Sequence, residues 1–130
     1  MCKNVVRLVA FIACLLCANL ASAQSCDANE VFYNGSCYYL DGTQGVCLTG
    51  DQLAPQSVLT SIASQFIGLT YRTTPSQNCC IYNSEPDEDW GMGPGDCNTT
   101  GTFLSGPVLG AVGCTNQTNF FAGQLTLCMG

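Results

Sequence analysis

The chain has 130 residues, with eleven cysteines, no histidine, and three Lys+Arg against nine Asp+Glu, a net charge of −6 at pH 7. Without histidine there is no Ser-His-Asp or Cys-His catalytic arrangement and no mixed Cys/His zinc site. The acidic balance repels phosphate backbones and anionic lipid, which excludes nucleic acid and leaves cations and basic or neutral partners.

Lys3 and Arg7 stand at the head of an apolar run, Leu8 to Leu20, interrupted only by Asn19. Ala21-Ser22-Ala23 then places small residues where a signal peptidase inspects. Residues 1–23 therefore read as a signal peptide, cleaved before Gln24, and the expected location is secreted and extracellular. The run is shorter than the roughly 20 apolar residues of a membrane span, and no charged stop-transfer segment follows it. Cleavage would remove Cys2, Cys14, Cys17, Lys3 and Arg7. The rest keeps eight cysteines, and one cation, Arg72, against all nine carboxylates, a net charge of −8.

An even number of cysteines in a short exported chain implies a disulfide framework. None of the eight has the C-x-x-C spacing of zinc ribbons or thioredoxin-like motifs. No linker or repeat divides residues 24–130, so they read as one disulfide-stabilised extracellular domain.

Val31 to Leu40 (VFYNGSCYYL) reads as a hairpin, two aromatic-rich strands around Asn34-Gly35, the strongest short hairpin signal. Asp41-Gly42 and Gly45 mark a further turn. The one helix is expected between Pro55 and Ile67, where Val58, Leu59, Ile62, Ala63, Phe66 and Ile67 form an apolar face. Gln56, Thr60, Ser61, Ser64 and Gln65 would face outward. Pro55 suits the first turn and Gly68 the C-terminal stop.

Cys79 and Cys80 are neighbours. A bond between them would close a strained ring, so each is expected to reach a different partner and staple two parts of the fold at one point. Glu85-Pro86-Asp87-Glu88-Asp89-Trp90, with Asp96 beyond, gathers carboxylates in a loop. Glu85, Asp87, Asp89 and Asp96 are the candidate calcium ligands, since calcium takes several oxygens from carboxylates, carbonyls and water. The alternating spacing of an EF-hand is missing, and a solvated acidic loop would look the same. Trp90, the only tryptophan, could stack on a sugar ring or fill the core. Glycine and proline dominate from Gly91, with short strands expected at Pro107 to Val112 and Gln124 to Cys128 and turn-rich backbone between them. Three N-glycosylation acceptors, Asn34, Asn98 and Asn116, fall in turn-like settings.

From Cys26 to Cys37-Tyr38-Tyr39 the chain resembles the opening of a long-form C-type lectin-like domain, where two cysteines at this distance bracket an aromatic strand. Glu85-Pro86-Asp87, followed by Trp90-Gly91 and Asp96-Cys97, looks like that family's E-P-N loop. The resemblance implies pairing of Cys26 with Cys37, Cys47 with Cys128 and Cys97 with Cys114. It leaves Cys79 and Cys80 to each other and puts Glu85 and Asp87 among calcium and sugar ligands. Departures are plain: Cys47 follows Cys37 too closely for the family's first helix, and no W-N-D motif precedes Cys114. The composition is also similar to that of fungal hydrophobins, although those carry two cysteine doublets and this chain has one.

The expected fold is therefore a small disulfide-rich α+β domain of β-hairpins and irregular loops with one amphipathic helix. The expected function is non-enzymatic recognition of carbohydrate or an extracellular protein, with calcium as the one candidate cofactor. The alternative is a structural, matrix or surface-active coat protein.

Overall fold

A computed structural model describes residues 24–41, 44–70, 78–99, 101–118 and 123–130. The expected signal peptide and Arg72 lie outside the described residues.

The hairpin forms where the Asn-Gly pair stands. Strand β1 (Val31–Tyr33) pairs antiparallel with β2 (Ser36–Asp41), and Tyr33 faces Ser36 across the turn. Asn34 and Gly35 take φ of 47° and 85°, the left-handed pair that lets a two-residue turn follow the twist of its strands. Two further strands complete the sheet: β3 (Gln52–Leu53) and the C-terminal β6 (Thr126–Met129), in the order β1-β2-β6-β3. Both partners of β6 run antiparallel to it, so the chain's end is clamped between its beginning and its middle.

Alternation along the strands gives this sheet two different faces. Val31, Tyr38, Leu40 and Leu127 project into the apolar core, with Leu40 directly opposite Leu127. Cys37, Tyr39 and Cys128 occupy the other positions, and this face carries two cross-links, Cys26–Cys37 and Cys47–Cys128. Closing an 81-residue separation, Cys47–Cys128 restricts the unfolded chain by about 4.5 kcal/mol in the loop-entropy description. Tyr39, fully buried, donates from its hydroxyl to Asp51 Oδ2 at 2.9 Å and accepts the Leu48 N–H at 2.8 Å, which holds the Cys47 loop against the sheet.

The expected helix is present as an eleven-residue helical stretch, but only α1 (Leu59–Ile62) is α-helical. Turns of 3-10 helix flank it at Gln56–Val58 and Ala63–Phe66. The sequence explains this: Ser57, Val58, Thr60, Ser61 and Ser64 are weak helix formers, no side chain caps either end, and short helices tighten at their ends. Leu59, Ile62 and Phe66 are buried, as the spacing predicts, whereas Ile67 lies beyond the last turn and is exposed. Pro55 is extended at the cap rather than in the first turn, and Gly68 ends the stretch at φ 88°. Gln56, expected outside, is buried.

A second antiparallel pair, β4 (Trp90–Met92) and β5 (Pro107–Leu109), stands beside this sheet. Residues 79–82 join the two. Ile81 N–H donates to the Trp90 carbonyl and Met92 N–H to Cys79, while Tyr82 exchanges backbone bonds with Leu125 and Leu127. The expected strand from Pro107 stops at Leu109, because Gly110 turns left-handed at φ 72°. The expected C-terminal strand begins two residues late, at Thr126, although Gln124 and Leu125 are already buried.

The framework corrects two of the implied pairs. Cys79 bonds Cys97 and Cys80 bonds Cys114, in place of the Cys97–Cys114 link and Cys79–Cys80 pair that the lectin-like resemblance implies. Each member of the doublet reaches its own partner, avoiding the strained ring. The other two implied pairs are present. All eight cysteines of the described chain are thus bonded, in a small disulfide-rich α+β fold.

Candidate functional site

Residues 78–118 hold most of the candidate residues and little regular structure. Glycines at alternate positions, Gly91, Gly93 and Gly95, allow their close packing. A Cβ on Gly91 would lie 2.7 Å from the Ala111 carbonyl oxygen and 2.8 Å from Cys114 Sγ. One on Gly93 would lie 2.5 Å from Ser105 Cβ and 2.8 Å from the Gly106 oxygen. The return limb, residues 104–114, therefore lies directly on main chain that carries no side chains, with the Cys80–Cys114 bond seated over Gly91.

The acidic residues are individually anchored. Asp96 is fully buried; its Oδ1 accepts the Leu104 N–H at 2.7 Å and its Oδ2 those of Ser105 and Gly106 at 2.8 and 2.7 Å. Asp89 Oδ1 accepts the Asn116 N–H at 2.7 Å. Gln56 reaches up from the helical stretch, donating to the Asp87 carbonyl and Asp89 Oδ2 and accepting the Asp89 N–H at 2.8 Å. Asn83, also buried, accepts from Glu85 N–H and donates to the Asp87 and Ile81 carbonyls. Glu88 is buried and accepts from Gln124 Nε2 at 2.7 Å. Burial raises its carboxyl above the ordinary value of 4.5, and the Gln124 bond offsets part of that rise.

One rule covers these contacts. Where most proteins set Lys or Arg against buried acids, this chain uses neutral amides and main-chain N–H groups. Gln56, Asn83 and Gln124 are thus structural anchors that sequence reasoning missed. Nothing in their spacing announces them; only the scarcity of cations hinted that acids would be held this way.

Glu85, Asp87, Asp89 and Asp96 do not converge. Among the described residues, the one trio whose ligating atoms lie within 4.8 Å of one another is Cys26, Glu30 and Cys37, and its sulfurs are tied up in a disulfide. Asp96, with three N–H groups on its two oxygens, does not fit as a calcium ligand; Glu85, Asp87 and Asp89 remain half-buried at the loop surface. Trp90 is half-buried on β4, packed against the core and opposite Leu109.

Beside the cysteine doublet opens a pocket of about 340 Å³, lined by Asn78, Cys79, Cys80, Val112, Gly113 and Gln117. Asn78 Oδ1 accepts the Cys80 N–H at 2.9 Å. Gln117 exchanges backbone hydrogen bonds with Glu88, so its main chain is fixed to the acidic loop. Val112, 63% exposed, has φ 50° and ψ 29°, left-handed backbone that β-branched residues rarely adopt.

Asn34, Asn98 and Asn116 are all exposed at left-handed turn positions, with φ of 47°, 59° and 46°. Among the described residues, no helix is long and apolar enough to cross a membrane. That and the four disulfides are compatible with an extracellular protein.

No family model matches the chain, and no curated protein or solved structure matches it significantly.

Proposed function

We propose that the chain is a secreted, non-catalytic recognition domain that binds carbohydrate through the surface formed by residues 78–118. One observation carries the reading: the Cys79–Cys80 doublet ties both limbs of this irregular region, to Cys97 and to Cys114, at a single point. Such a region keeps its shape without helices or long strands, and loops on a rigid scaffold are where binding surfaces concentrate. Buried amides fix it further, and the side chains left at the surface are neutral or acidic, with no histidine or thiol for chemistry. The lectin-like resemblance adds the substrate class, and its support lies in the first hairpin and the two pairings it shares. Calcium assistance, in this reading, is limited to one or two carboxylates among Glu85, Asp87 and Asp89 with loop carbonyls, and leaves out Asp96. N-linked glycans at Asn34, Asn98 and Asn116 complete the proposal of an exported glycoprotein.

The test is a glycan array probed with the oxidised protein, with calcium and again in EDTA. Saturable binding to defined glycans is the expected result. The surface-active alternative draws on the exposed apolar residues Phe32, Val46, Leu48, Ile67, Leu104 and Leu109. Strong adsorption at an air–water interface, with no glycan bound, would replace the recognition reading with that one.

A further inference from the structure

We infer that the pocket beside the cysteine doublet is a metal-independent binding site for a single neutral sugar ring; the inference rests on the carbohydrate reading above. Its volume, about 340 Å³, lies at the lower end of ligand pockets, too small for a lipid chain and adequate for one pyranose. Among the described residues, the lining has no ionisable side chain, because both cysteines are in disulfides. A charged ligand would find no counter-ion on the described wall. What the walls offer is the Asn78 and Gln117 amides, main chain, and the methyl groups of Val112. A pyranose matches that mixture, with hydroxyls that donate and accept and a C–H face that packs on an aliphatic side chain.

Both amide residues are already positioned. The Cys80 N–H fixes the Asn78 side chain, and the paired backbone bonds with Glu88 fix Gln117. Among the described residues, the Gln117 amide makes only long contacts, at 3.5 and 3.4 Å to the Gly113 and Thr115 carbonyls, which a ligand hydroxyl could displace. Val112 supplies the independent argument. A glycine would occupy its backbone conformation without strain, yet a branched aliphatic side chain stands there, largely exposed, at the pocket wall. Strained residues of this kind cluster at active sites and ligand clamps.

Oxidised, 15N-labelled protein is titrated in EDTA with glucose, galactose, mannose and N-acetylglucosamine, following backbone amide shifts. At least one sugar should move the signals of residues 78–80 and 112–117, with a dissociation constant of order millimolar for a ligand of about a dozen heavy atoms. Val112→Gly should melt no lower than the parent and weaken binding roughly tenfold, and Gln117→Ala should weaken it similarly, each a loss comparable to one good contact. Glu85→Gln with Asp87→Asn should leave it unchanged. Shifts confined to residues 85–90, and only with calcium, would overturn the pocket while sparing the carbohydrate reading. Unaltered affinity in both pocket variants would also overturn it. No response to any of the four sugars, alongside a blank glycan array, would remove both.

Discussion

Asp96→Ala tests the structural role of the acidic region most sharply. The carboxylate accepts three main-chain N–H groups from consecutive residues, Leu104, Ser105 and Gly106. Hydrogen bonds to a charged acceptor contribute about 1.5–3 kcal/mol each, and a buried donor left without a partner costs about 1–3. Leu104 is exposed and Ser105 half-exposed, so water can take over at those two groups; Gly106 is buried and has no such recourse. The expected loss is therefore about 3–5 kcal/mol, well short of three full bonds. Asp96→Asn keeps the shape and one carbonyl oxygen. With that oxygen turned toward Ser105 and Gly106, the amide N–H2 opposes the Leu104 N–H, for a loss of about 1–3 kcal/mol. Urea unfolding of the oxidised proteins at neutral pH measures both losses, and a parallel series in EDTA tests whether an ion has any part in them. EDTA should leave the parent's midpoint where it was. An Asp96→Ala variant within about 0.5 kcal/mol of the parent, the range of an ordinary surface change, would refute the reasoning. So would an EDTA shift as large as the mutation's.

Three further outcomes follow from particular contacts. Because burial raises the Glu88 carboxyl in the fold, the stability it contributes is complete below its unfolded value of 4.5 and is lost as pH rises through the raised native value. Glu88→Gln should accordingly be more stable than the parent at neutral pH, with the difference closing in acid; thermal melts across that range would show it. Gly91→Ala puts a methyl group against the Ala111 carbonyl and Cys114 Sγ, neither of which can swing aside, and should cost about 1–3 kcal/mol or more and impair formation of Cys80–Cys114 during oxidative refolding. Gln56→Ala removes the amide that spans to Asp87 and Asp89, and should cost about 2–3 kcal/mol while speeding limited proteolysis at residues 84–89.

Local chemistry was legible wherever it is local. Asn34-Gly35 announces a two-residue turn because two consecutive left-handed residues are cheap only for such pairs, and the hairpin stands where they do. Leu59, Ile62 and Phe66 announce a buried face because their spacing fits a helix, although spacing could not reveal that weak formers would leave one α-helical turn between 3-10 ends. Gln56 shows the limit: an amide reads as outward-facing until the loop it anchors, some thirty residues away, is in place. The calcium candidates share that limit, since proximity in sequence says nothing of where each carboxylate points. Asp96 turned into its own loop, and Glu88, the acid of that segment not singled out, is buried as well. Strand β4 escaped notice because Gly91 and the glycines that follow it read as turn, whereas Gly91 is what lets another limb of chain lie against the strand.

The account rests on which sulfurs are joined. Stepwise partial reduction, alkylation and mass-spectrometric mapping of the native protein resolves the adjacent pair at Cys79 and Cys80, which a single digestion leaves together. The links expected are Cys26–Cys37, Cys47–Cys128, Cys79–Cys97 and Cys80–Cys114, with no free thiol among them. A Cys97–Cys114 bond, or unpaired sulfur at the doublet, would contradict the scaffold on which the 78–118 surface is built.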